Sequence, residues 1–81
     1  MNILLFGKLA EPAGRQIALD LPDDGCTIAD LRAALVRRFP GLATELAPNR
    51  AKALIDRVIA SEADWVRPDQ EVALLPPLSG G

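Results

Sequence analysis

Three hydrophobic patterns succeed one another along the chain. Ile3, Leu4, Leu5 and Phe6 form an unbroken apolar run followed by Gly7, which predicts a central strand covered on both faces, with Phe6 in the core. Glu11, Pro12, Ala13 and Gly14 supply turn residues. Ile17, Leu19 and Leu21 then alternate with Gln16, Ala18 and Asp20, the period-2 mark of a half-buried strand, and the two strands are expected to form a β-hairpin. Beyond the polar turn at 22–25 the period lengthens. Ile28, Leu31, Leu35 and Phe39 are spaced three, four and four apart, which predicts an amphipathic helix packing one face on the sheet. Thr27 is its N-cap candidate, with Asp30 three residues on. Arg37 and Arg38 suit the negative end of the helix dipole, and Pro40 and Gly41 stop the helix.

The second half is choppier. Residues 42–46 have room for a short helical turn, and Pro48 and Asn49 mark a loop. Ala53, Leu54, Ile55 and Val58, Ile59 read as short strands around Asp56 and Arg57. Residues 61–66 read as a connection with space for one helical turn, and 67–70 as a further turn. Val72, Ala73, Leu74 and Leu75 form another continuous apolar strand, expected to pair with the first in the middle of the sheet. The order is then β-β-α-β-β-β, an α+β domain with one main helix across a mixed sheet of about five strands. Parallel first and last strands would satisfy the usual right-handed crossover.

Pro76 and Pro77 end that last strand, because proline has no N–H for a ladder and biases the residue before it toward extended geometry. The organisation expected is a folded domain over 1–75 and an extended tail over 76–81, ending in Gly80 and Gly81. Two adjacent glycines at one end would arise by chance in about 0.5% of chains. Without Cβ atoms they can pass a channel too narrow for other residues, which points to the carboxylate of Gly81 as the reactive group. A carboxylate is a poor acyl donor at neutral pH. Its use requires activation by a second protein, most simply as an acyl-adenylate made from ATP, after which sulfur or an amine can attack the carbonyl.

Composition removes competing classes. The chain has no histidine and one cysteine, so it cannot build a Ser-His or Cys-His nucleophile pair, a usual zinc site or an intrachain disulfide. It is not expected to be catalytic alone. A net charge of -2 with interspersed signs and three aromatic residues in all argues against nucleic acid as a ligand. No apolar run approaches the ~20 residues of a membrane helix. Residues 1–6 lack the basic region and cleavage site of a signal peptide, so a cytoplasmic location is expected.

The ending Leu74, Leu75, Pro76, Pro77, Leu78, Ser79, Gly80, Gly81 resembles that of the MoaD family, the small subunits of molybdopterin synthase. Length, element order and the opening strand are compatible with the same family. Two positions differ from its usual pattern: Leu74 and Leu75 stand where aromatics are frequent, and Asp56 where Asn is frequent. The resemblance implies a β-grasp, ubiquitin-like fold and a sulfur carrier. Gly81 would be adenylated with ATP by an E1-like, MoeB-type enzyme and converted to a thiocarboxylate. It would then donate sulfur to a pterin precursor inside a MoaE-like large subunit, in a heterotetramer. No cofactor would be held by this chain. Gly81 would carry the reactive group, Gly80 would keep the channel narrow and Ser79 would supply a hydrogen-bonding group within it. Leu75 and Leu78 would contact the channel mouth, and Pro76 and Pro77, with φ already fixed, would lose little further freedom on insertion.

Alternatives stay open: a ThiS-like carrier or one serving another pathway, a modifier joined to lysines through Gly81, or an interaction module that uses its sheet face alone. Four further features are read plainly. Cys26 is a small loop residue tucked under the helix rather than a reactive thiol. Trp65 packs under a loop rather than anchoring a partner. Arg37 and Arg38 form a solvated helix end, and Asp23 and Asp24 a solvated turn without the further oxygens of a calcium loop.

Overall fold

In the computed structural model, which describes residues 1–77, the main sheet has five strands. These are β1 (Asn2–Leu5), β2 (Gln16–Ala18), β4 (Lys52–Ile55), β5 (Val58–Ala60) and β7 (Val72–Leu75). Their order is β2-β1-β7-β4-β5. β1 and β7 run parallel at the centre, with Ile3 opposite Val72 and Leu5 opposite Leu74, and all other pairs are antiparallel. This is the β-grasp arrangement, a mixed five-stranded sheet crossed by one main helix. A separate two-stranded ribbon joins β3 (Cys26–Thr27) to β6 (Trp65–Val66).

The main helix, α2 (Ile28–Arg38), begins where its cap predicts, since the Asp30 N–H donates to Thr27 Oγ1 at 3.1 Å. Two more of its free N–H groups are satisfied from the far loop: Ile28 donates to the Asp64 carbonyl and Ala29 to that of Glu62, both at 3.0 Å. Ile28, Leu31 and Leu35 are fully buried and share one core with Ile3, Leu5, Val72 and Leu74. Exposed Arg37 and Arg38 close the helix, with the Arg38 guanidinium 4.9 Å from the Phe39 ring centre.

Several local expectations change. The turn foreseen at 11–14 is helical: a 3-10 turn (Gly7–Leu9) runs into a short helix α1 (Ala10–Ala13). It buries Leu9 completely, which makes the connection part of the core. Residues 61–66 hold no helical turn; their end is β6, which covers the thiol-bearing strand β3. Trp65 is not under a loop. The residue is 52% exposed, and its indole N–H donates to the Asp24 carbonyl at 3.0 Å, stapling the 22–25 turn from outside.

Candidate functional site

Because successive strand residues point to opposite faces, the register defines the two sides of the sheet. Ile3, Leu5, Val72, Leu74 and Ala53 face the helix and are buried. On the other side, Gln16, Leu4, Ala73, Leu54 and Ile59 stand opposite one another in a single row across all five strands. Leu75 continues this face one step further, opposite Lys52. Phe6 keeps extended backbone (φ -122°, ψ 157°) beyond β1 and adds a ring to the same side. Of these, Ile59 is 68% and Phe6 44% exposed, while Leu4, Leu54, Ala73 and Leu75 are half-buried. The first strand is therefore covered on one face only, and Phe6 lies outside the core. An apolar run reports that a strand is hydrophobic, not what covers each face, which is why the sequence pattern misplaced it. A contiguous apolar patch bordered by Lys52 and Gln16 is a surface suited to another protein.

The tail leaves from the edge of this patch. β7 ends at Leu75 in the middle of the sheet, Pro76 is half-buried and Pro77 is exposed. Leu75, Pro76 and Pro77 of the expected partner-binding set are thus together beside Phe6. Leu78, Ser79, Gly80 and the expected acyl end Gly81 lie outside the described residues.

The turn between β4 and β5 is fixed from the other end of β7. Asp56 and Arg57 both take positive φ (48° and 71°), as a tight two-residue hairpin requires. The Asp56 carboxylate accepts from the Glu71 N–H at 2.9 Å and from Gln70 Nε2 at 3.1 Å, and its own N–H donates to the Glu71 carbonyl at 2.9 Å. Those hydrogen bonds, the backbone one first, hold its pKa below the usual carboxylate value, with Arg67 adding a favourable charge. A carboxylate accepts both donors at once, so acid serves at this position.

The ionisable groups offer little independent chemistry. The Cys26 thiol is buried, and burial pushes its pKa up, with the negative charge of Asp30 adding to the effect. It is therefore not an activated nucleophile. Among the described residues, no group of three or more His, Cys, Asp or Glu is placed to hold a metal ion, and no helix is long and apolar enough to cross a membrane. The buried charge is Arg32, which sequence reading passed over. Its Nε lies 2.9 Å from both carboxylate oxygens of Glu62, and its Nη1 donates to the Leu46 carbonyl at 2.9 Å. It ties the helix to two loops and faces away from the patch chemistry. Its signal was a charge on the apolar side of a helix, whose partner stands thirty positions away.

Comparison with known proteins agrees with this architecture. Residues 3–81 match the ThiS family. A molybdopterin synthase sulfur carrier subunit from Dictyostelium discoideum is 30% identical over 81 residues, covering 99% of this chain and 94% of that one. The crystal structure of SAMP1 from Haloferax volcanii superposes with a TM-score of 0.82 at 30% identity, covering 99% of this chain and 97% of the other. A crystal structure of small archaeal modifier protein 1 from H. volcanii gives 0.79 at 27% identity, covering 95% of each chain. With a family match along almost its whole length and a β-grasp sheet to carry it, the chain belongs to the ThiS family of ubiquitin-like sulfur-carrier proteins.

Proposed function

We propose that this protein is the sulfur-carrying small subunit of a molybdopterin synthase. The observation that carries the reading is the position of β7: the strand that leads to Gly81 is the central one of the sheet, and it ends immediately before two prolines beside an open apolar face. A rigid root under a short extended segment lets the domain dock while its end reaches into another protein. The full-length similarity to a molybdopterin synthase sulfur carrier subunit supports the choice of pathway.

In the proposed sequence, an E1-like, MoeB-type enzyme binds the apolar face and directs the Gly81 carboxylate at the α-phosphorus of ATP, releasing pyrophosphate. Hydrosulfide delivered by a sulfur donor then attacks the acyl carbon, AMP leaves with the bonding electron pair, and Gly81 ends in a thiocarboxylate. A MoaE-like large subunit, in a heterotetramer of two small and two large chains, admits the tail. The thiocarboxylate sulfur bonds to a carbon of the pterin precursor as a C–O bond there breaks and the oxygen departs, and water then cleaves the acyl–sulfur bond, leaving the sulfur on the pterin and regenerating the carboxylate. Within the tail, Gly80 keeps the channel narrow, Ser79 hydrogen-bonds inside it, and Leu75, Pro76, Pro77 and Leu78 contact its mouth. ATP is consumed by the activating enzyme; this chain holds no cofactor and works in the cytoplasm.

The test is deletion of Gly81 in a reconstituted system of ATP, activating enzyme, sulfur donor, large subunit and pterin precursor. Wild type should gain the oxygen-to-sulfur mass difference and support pterin sulfuration. The truncated chain should do neither, with its melting temperature unchanged; sulfuration at the wild-type rate would refute the mechanism. A second reading, a modifier joined to lysines through Gly81, is favoured by the likeness to small archaeal modifier protein 1. Ladders of conjugates in place of the sulfur mass shift would select it.

A further inference from the structure

Gly7 sits at the point where β1 and β7 part. The Phe6 N–H donates to the Leu74 carbonyl at 3.3 Å, the last rung between the two strands. The next rung of a parallel ladder would join the Phe6 carbonyl to the N–H of residue 76. Pro76 has none, and the Phe6 carbonyl instead accepts from the Leu9 N–H of the 3-10 turn at 3.2 Å. Both strands are thus released at one level. There Gly7 adopts φ +59°, and a Cβ built on it would lie 2.8 Å from Pro76 Cγ. The missing side chain leaves a notch that the proline ring fills, which is why Pro76 is half-buried at the start of an otherwise outward segment.

We propose that Gly7 is a positioning residue: the notch it leaves seats Pro76 and so sets the direction in which the chain leaves the sheet at Pro77. A tight turn alone would be served by Asn, which also tolerates positive φ. The second requirement, no atom where Cβ would be, comes only from Pro76. Pro76, with fixed φ and its side chain closed into a ring, has no free rotation by which to yield, and a change of ring pucker shifts Cγ while leaving the ring in the notch. This inference rests on the carrier function proposed above, since the direction of departure matters only if the tip must reach an active site.

The experiment compares Gly7→Asn, Pro76→Ala and the double variant. Gly7→Asn keeps the left-handed backbone but strikes the ring. Thiocarboxylation by the activating enzyme should fall by about 10- to 100-fold, in kcat rather than KM because the apolar docking face is untouched. In the double variant the ring is gone, so its rate should equal that of Pro76→Ala alone. A second measurement needs no partner. A nitroxide at Lys52→Cys, beside Leu75, should broaden the amide signals of Ser79, Gly80 and Gly81 differently in wild type and Gly7→Asn. The double variant should match Pro76→Ala. Wild-type rate and broadening in Gly7→Asn, or effects that simply add in the double variant, would overturn the proposal while leaving the carrier function standing. Wild-type protein that accepts no sulfur would overturn the carrier function, and the nitroxide comparison would still decide whether Gly7 aims the tail.

Discussion

Asp56 shows how much one side chain organises. It sits at positive φ, and its carboxylate bridges the β4–β5 turn to Glu71 and Gln70 at the start of the central strand. Its folded pKa is depressed, so its contribution is complete above the unfolded carboxylate range and is lost as pH falls through the folded value. Asp56→Asn replaces the second acceptor oxygen by a donor facing Gln70 Nε2, and it cannot titrate. Wild type should therefore melt above Asp56→Asn near neutrality. The gap should narrow as pH falls below the ordinary carboxylate range and through the lower folded value, measured by thermal melts. A gap that stays constant to the acid end would mean that the carboxylate's charge is irrelevant to the clasp. Of the two residues, only the acid adds this pH dependence to the turn.

At the scale of elements, the helix is held by more than its apolar face. Arg32 is 7% exposed along its side chain, and Glu62 37%. Removing Glu62 strands the guanidinium with the Leu46 carbonyl as its remaining partner, whereas Arg32→Met removes the charge and keeps most of the packing. Glu62→Ala should cost about 2 kcal/mol and Arg32→Met less, by denaturant titration; the reverse order would show that packing of the Arg32 stem, not its charge, matters. The same elements show what the chain discloses in advance. β1 and β7 were legible as unbroken apolar runs and α2 by its helical period, each with a physical stop: Gly7, Pro76 and Pro40. β6 was not, because a strand of two residues has no period. The openness of the outer sheet face was hidden as well, because residues 3–6 and 72–75 are apolar on both sides, and only the placement of α2 decides which side is covered. The end of β7 was legible from Pro76 and Pro77, but the seat of Pro76 on Gly7 depends on two strands meeting in parallel.

For the molecule as a whole, one sheet face closes the core and the other stays open. Ile59 and Phe6 are the most exposed large apolar members of that face, so their truncation should cost binding and spare stability. Phe6→Ala and Ile59→Ser should each weaken the complex with the large subunit by about 1–2 kcal/mol, roughly tenfold in Kd, by titration calorimetry. Melting temperatures should stay close to wild type. Unchanged affinity in both variants would remove the face from the interface. In the carrier role proposed above, the domain would pass among proteins that handle reactive sulfur, where a loose thiol would be a hazard. Closed behind β6 and under α2, with its proton held more tightly than usual, Cys26 can neither intercept a persulfide nor attack an activated glycyl end. The fold thus keeps its one thiol silent, and the proposed mechanism leaves sulfur traffic to the terminus.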